Sequence, residues 1–335
     1  ALSDMSTSLV RVDEAGRLQV YVMGDAGNPD FLSRLEAAGL QTETSSADLG
    51  IVQGWVSHDL LEGLENVAGV TKVRPPSYAR TRTGSVTSAG DAILHADDVR
   101  TRFASYGIDG SGLKIGVISD GVDHWANSQP TGDLPGTITI NPALPGSGDE
   151  GTAMLEVVYD LAPGASLYFS GSDTTAEMID SINWLVGQGC NVIVDDLAFP
   201  GEPFFADGAV AQAAANAVAL GVVYVSAAGN DALDHYQAQY AQVADETWQD
   251  FGGGDIGQSV TISDGATFEA LLQWSDAFGA SGNDYDLYLY NAARDEILAW
   301  SEFVQDGTGD PVDYFSYTNT SGAPLSADVR IDNFL

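Results

Sequence analysis

Between residues 113 and 230 the chain alternates short, wholly apolar runs with longer stretches of helical spacing. Residues 113–118, 166–170, 191–195 and 222–226 predict strands, and 151–160, 174–188 and 206–220 predict helices. Apolar strands alternating with helices imply a parallel α/β sheet, doubly wound and covered on both faces. In such sheets ligands collect at the carboxyl ends of the strands. Asp120, Asp195, Asp196 and Asn230 all fall at such ends.

The pattern differs on either side of this core. Upstream, 18–23 alternates as a strand, 29–38 has helical spacing closed by Gly39, 41–44 and 51–56 read as strands, 58–67 as a helix and 70–73 as a strand. That order, β-α-β-β-α-β, is ferredoxin-like. Residues 75–112 are polar, carry Arg80, Arg82, Arg100 and Arg102, and predict one short helix over 90–103; this is a linker with a candidate processing site. After Asn230 the period becomes two, with strands expected at 257–262, 267–274, 285–291, 296–303, 312–318 and 325–333, a β-sandwich or jelly roll. The expected domains are therefore 1–76, a linker 77–112, an α/β core 113–245 and a sandwich 246–335.

Charge narrows the function. The 335 residues hold 12 Lys and Arg against 48 Asp and Glu, a net charge of −36, and beyond Lys114 the basic residues are Arg294 and Arg330. Such a field repels nucleic acid and anionic lipid and attracts cations, which excludes nucleic-acid binding. It suits a solvated surface in a salty exterior, or one or more structural Ca²⁺ sites with no catalytic cofactor. One cysteine, Cys190, excludes an internal disulfide and is expected to be buried at a strand entry. No apolar run reaches the roughly eighteen residues a membrane span needs. The chain starts at Ala1 without a basic-then-apolar leader, as a processed N-terminus would. L-P-G-S-G-D-E-G-T at 144–152 lacks the lysine of a phosphate-binding loop.

Three motifs carry the chemistry. The first strand runs into Ser119-Asp120-Gly121-Val122-Asp123; Gly148-Asp149-Glu150-Gly151-Thr152-Ala153-Met154 opens a helix followed by D-L-A-P-G-A at 160–165; the last strand ends in Ala227-Ala228-Gly229-Asn230. In this order they resemble the subtilisin-like serine peptidases. That family has V-I-D-S-G-I-D with the orienting aspartate, H-G-T-H-V-A-G with the general base, and A-A-G-N with an oxyanion donor. The resemblance implies Asn230 as donor and puts Glu150 where the histidine stands. Asp120 matches the aspartate with a slip of one residue; strict alignment on Gly121 puts Ser119 in that slot. An acid as base is similar to the sedolisins, whose second acid four residues on is replaced here by Met154. Asp195 and Asp196 fall on the strand that lines the substrate wall in the family, as a third acid or a cation ligand. The N-terminal domain resembles the inhibitory propeptide, and W-S-D at 274–276 with D-Y-D-L-Y-L at 284–289 resembles pre-peptidase C-terminal-type domains.

As chemistry, Glu150 either caps its helix or acts as base. An ordinary carboxyl near a pKa of about 4.3 accepts protons weakly at neutral pH, so the second role needs a raised pKa or an acidic optimum. Asp120 is the expected partner, two close carboxylates sharing a proton. His124 and His235 are substitute bases or ordinary loop histidines. No G-T-S-x-A-x-P nucleophile motif occurs in 231–335, and T-G-S-V-T-S-A-G at 83–90 lies upstream without the proline. The resemblance thus implies the N-terminal portion of a secreted bacterial serine endopeptidase that hydrolyses polypeptides through an acyl-enzyme and pairs with a C-terminal fragment supplying the serine. The alternative is a non-catalytic pseudo-peptidase, a Ca²⁺-dependent surface-binding protein.

Overall fold

The computed structural model describes residues 10–13, 15–47, 49–76, 80–81, 90–231, 233–244 and 246–334. Most of the linker segment around Arg82, with its candidate processing site and the 83–90 serines, lies outside the described residues. The chain divides into two compact units, Ala1–Glu202 with Gly208–Ala232, and Pro203–Asp207 with Leu233–Leu335. The division thus falls at 232, earlier than the expected 245, and the N-terminal domain and the α/β core share one unit.

In the first unit, β1 (Arg17–Met23), α1 (Pro29–Ala37), β2 (Gln41–Ser46), β3 (Ile51–Ser57), α2 (Leu61–Glu65) and β4 (Lys72–Arg74) reproduce the expected order, and their sheet runs β2-β3-β1-β4 with antiparallel pairs. Alternation gives this sheet two different faces. Val20, Val22, Val52 and Val56 pack with Phe31, Leu35 and Leu64 from its own helices, while Tyr21 and Ile51 turn the other way and bury against Ala176. After β4 come the two-residue strand β5 (Arg80–Thr81) and two short helices, α3 (Gly90–Ile93) and α4 (Ala96–Arg102), in place of the single expected helix.

The core follows: β6 (Lys114–Ser119), β7 (Thr139–Ile140), α5 (Glu150–Leu161), β8 (Ser166–Gly171), α6 (Thr175–Gly187), β9 (Val192–Asp195), β10 (Leu197–Ala198), α7 (Ala209–Ala219) and β11 (Val223–Ser226). Its five-stranded sheet has the order β11-β9-β6-β8-β7, with every pair parallel. Ile115, Val117, Leu167 and Phe169 pack on one face with Leu155 of α5, and Ile118 and Ile193 pack on the other with Met178, Ile182, Ala213 and Ala217 of α6 and α7. Both faces are covered, as the apolar strands demanded.

α6 fastens the N-terminal domain to this core. Thr174 and Glu177 form a reciprocal capping box at its start. A further first-turn donor, the Ala176 N–H, is satisfied by the hydroxyl oxygen of Tyr21 at 3.1 Å, and Thr174 Oγ1 donates to Gln53 at 3.2 Å. Tyr21 is fully buried. An edge of the helix that would otherwise need water is capped by another domain.

The second unit is all β: β12 (Gln258–Ile262), β13 (Thr267–Gln273), β14 (Tyr285–Asn291), β15 (Ile297–Ser301), β16 (Val312–Thr318) and β17 (Leu325–Asn333). Sheet β12-β17-β14-β15 and the pair β13-β16 enclose a core of Ile262, Leu287, Leu289, Phe315 and Ala327. Buried carboxyls interrupt it. Asp313, fully buried, is pushed up to about 7, by burial above all, and Asp286 to about 6 by burial and then the charge of Asp284. A carboxyl raised in this way favours the folded state below its unfolded pKa of about 3.9, and that contribution is lost as pH rises through the folded value. Calorimetry should therefore show the melting temperature of this unit falling as pH rises from 5 to 8, with Asp313→Asn removing much of the fall.

Candidate active site

Strand alternation brings the site together. On β6, Ile115 and Val117 pack on the α5 side, so Ser119 ends on that side; on β9, Val192 and Val194 do the same, and Asp196 continues the alternation one residue past the strand. The two strands are parallel neighbours with Ile118 opposite Asp195. Ser119 and Asp196 thus stand side by side beneath the start of α5, where Glu150 is the first residue. Ser119 is fully buried and Asp196 is 7% exposed.

Glu150 meets Asp196. Both oxygens of Asp196, Oε2 of Glu150 and Oγ of Ser119 are buried without an ordinary hydrogen-bond partner, yet the two carboxyls act on each other as hydrogen-bonding neighbours. One description reconciles these facts. Two carboxylates have no proton between them, so they become partners only when one is protonated. Burial first, then the charge and hydrogen bond of Asp196, then the charge of Asp120, push Glu150 up to about 7. Asp196 is also raised, by burial first, against the lowering effect of the Ser119 hydroxyl, whose proton is free to turn toward it. Each carboxyl therefore strengthens the other's hold on a proton.

Asp120 does not make the expected hydrogen bond to Glu150. It follows Ser119, so alternation turns it away, and its carboxylate accepts from the Gly151 N–H at 3.2 Å and from the Gly121 N–H at 2.5 Å. It caps the first turn of α5 and acts on Glu150 by charge alone. Glycines make this possible. A Cβ on Gly148, where φ is +126°, would stand 2.0 Å from Asp120 Oδ2, and one on Gly151 would stand 2.3 Å from the Phe169 ring.

The remaining candidates lie apart from the pair. Asp195 faces the opposite side of the sheet and accepts from Ser226 Oγ at 2.8 Å, joining β9 to β11; burial raises its pKa. Asn230 is exposed just beyond β11, the outermost strand, with β9 between that strand and β6. His124 is gripped by Asp149, which accepts from its backbone N–H at 2.7 Å and contacts its ring Nδ1. The hydrogen bond to Asp149 raises the histidine's pKa, and the His124 side chain is exposed. His235 belongs to the other unit. Cys190 is buried, as expected. Among the described residues no group of three or more His, Cys, Asp or Glu is arranged to hold a metal ion, and no helix is long and apolar enough to cross a membrane.

Directly after Asp196, β10 offers an open edge, and β5 lies on it: Leu197 pairs with Thr81 and Ala198 with Arg80, antiparallel. The sequence reading missed the Ser119–Asp196–Glu150 grouping and this strand pair. Alternation along both core strands carried the signal for the first; two-residue strands carry none for the second.

No protein-family model matches the chain, and no curated protein does. Among solved structures, the epidermin leader peptide processing serine protease (EpiP) of Staphylococcus aureus is similar at 16% identity and a TM-score of 0.41, over 64% of this chain and 60% of that one. A serine-to-alanine mutant of the same protease gives 16% identity and a TM-score of 0.42, over 64% and 61%. The chain spans about three fifths of the length of these structures.

Two substitutions separate the carboxyl pair from the helix cap. Because Glu150 is raised, the pair stabilises the fold below its unfolded pKa and this is lost as pH rises through about 7. Thermal melts of the first unit should fall between pH 5 and 8, and Asp196→Asn should flatten that dependence. Asp120→Asn keeps an acceptor but loses the charge at the helix start, and should cost about 1 kcal/mol in denaturant unfolding.

Proposed function

We propose that this chain forms the substrate edge and the proton-transfer groups of a subtilisin-like serine peptidase that acts on polypeptides outside the bacterial cell. The observation that carries this reading is the antiparallel seating of Arg80–Thr81 on Leu197–Ala198, beginning one residue after Asp196. A two-residue stretch of extended backbone lies on a strand edge that starts beside the buried Asp196 and the half-buried Glu150, an arrangement by which strand addition would present a peptide bond to catalytic groups.

In this reading the ionised carboxylate of Glu150 accepts the proton of the attacking serine hydroxyl as its oxygen bonds to the carbonyl carbon. The same proton passes to the leaving amine as the C–N bond breaks, and water then releases the acyl group by the reverse proton path. Asn230 is the proposed oxyanion donor and Asp120 the group that fixes the start of α5. Ser119 is fully buried behind Asp196 and is not the nucleophile. That serine belongs to a segment the chain pairs with. The N-terminal domain is the inhibitory, propeptide-like part.

One feature favours a second reading, a pseudo-peptidase that binds polypeptide without cleaving it: Asp120, the expected partner of the base, is spent on a helix cap. Hydrolysis of a fluorescent casein by the product of the whole reading frame decides between them. The peptidase reading expects kcat to rise with pH about a midpoint near 7, because Glu150 must be ionised, and Glu150→Gln to lower it at least about 100-fold with KM little changed. Undiminished hydrolysis after that substitution would overturn Glu150 as base. Casein binding without hydrolysis by the unaltered protein would establish the second reading.

A further inference from the structure

Two aspartates compete for one helix end, and the one adjacent to the helix loses. Asp149 is the residue immediately before α5, the place from which an aspartate ordinarily accepts an N–H of the first turn. Its side chain makes no such bond. The Gly151 N–H goes instead to Asp120, 31 residues earlier in the chain, at 3.2 Å.

Asp149 is occupied by His124. Its Oδ1 accepts from the His124 backbone N–H at 2.7 Å and from Thr152 Oγ1 at 3.2 Å, and its Oδ2 meets the His124 ring at Nδ1. The loops on either side are laced together. The Ser147 N–H donates to the Asp120 carbonyl at 2.8 Å, the Asp123 N–H to the Gly148 carbonyl at 2.8 Å, and the Gly148 N–H to the Asp123 carboxylate at 3.0 Å. One short segment, 120–124, thus supplies both the acid that caps α5 and the group that draws Asp149 away from it. A free Asp149 would swing onto its own helix and set a second carboxylate in the turn that bears Glu150, where the charge of Asp120 already disfavours ionisation.

We propose that His124 is a positioning residue for the Glu150 site: by holding Asp149 outward it leaves the cap of α5 to Asp120 and keeps a second carboxylate out of the first turn. It acts through Asp149. A ring nitrogen facing a carboxylate is held as an N–H donor, and imidazole and imidazolium both offer one, so the grip persists on either side of the histidine's own titration. Asp149 and Asp123 are the charged groups acting on the ring. Only the consequence for catalysis rests on the reading of Glu150 as the base; the allocation of the cap belongs to the folded chain.

A double-mutant cycle on the full chain, read as the unfolding equilibrium constant of the first unit in denaturant, tests this. Asp120→Ala removes the present cap and is expected to raise that constant about fivefold. In a His124→Ala background Asp149 is free to take over, and the same change is expected to raise it less than about twofold. His124→Asn puts an amide donor near the place of Nδ1 and is expected to restore the fivefold effect. A ¹³C titration of Glu150 is the second readout: its midpoint should rise by about half a pH unit in His124→Ala and return in His124→Asn. If Asp120→Ala costs the same in both backgrounds, Asp149 does not take over and the proposal is overturned. If that cost drops while the Glu150 midpoint stays in place, His124 allocates the cap without serving Glu150, and its role at the site is overturned. Where Asp120→Ala does not fold, Asp120→Asn, which keeps the acceptor and loses the charge, replaces it in the cycle. Neither readout uses hydrolysis, so an inactive product of the whole reading frame would count against the peptidase reading alone.

Discussion

The contact between Glu150 and Asp196 is the constraint around which the first unit is organised. Two carboxyls set this close resist being ionised together, because partial burial weakens the solvation of each charge and the two repel. Burial first, and then the charge and hydrogen bond of Asp196, push Glu150 up to about 7, above the usual carboxylate range. A group that is half-ionised near neutrality can both accept and return a proton, the property that the proposed role of Glu150 as base requires.

Several features of the fold hold the pair in place. Parallel strands β6 and β9 put Ser119 and Asp196 side by side at their carboxyl ends, and the N-terminus of α5 is clamped over them by Asp120. That clamp needs Gly148 and Gly151, because any side chain at either position would collide with Asp120 or with Phe169. The same strand end continues into β10, so Asp196 and the edge on which β5 lies are adjacent in the chain. The N-terminal domain is docked on α6 through Tyr21 and Gln53.

Much of this was legible in the sequence. The core strands and helices emerged within a few residues, and 285–291, 312–318 and 325–333 emerged with their observed bounds, because alternation over seven or more residues is a strong signal. Strands of two residues, β5, β7 and β10, have no period to detect. Glu150 stood out because an acid occupied a motif position that calls for a base. Its partner did not stand out: motif order pointed to Asp120, next to the strand end, whereas the side-chain period of the strand sends Asp120 to the helix terminus and selects Asp196, 46 residues further along from Glu150. Asp195 and Asp196 are adjacent in sequence yet serve opposite faces of the sheet for the same reason. Counting faces along both strands would have found the pair.

The most direct test of the account is a ¹³C NMR titration of the Glu150 and Asp196 side-chain carboxyls in the folded chain. The account predicts that Glu150 titrates with a midpoint near 7 and that the Asp196 resonance moves with it, as two groups sharing one proton must. A Glu150 midpoint at the ordinary value of 4.5, with Asp196 titrating independently, would contradict it.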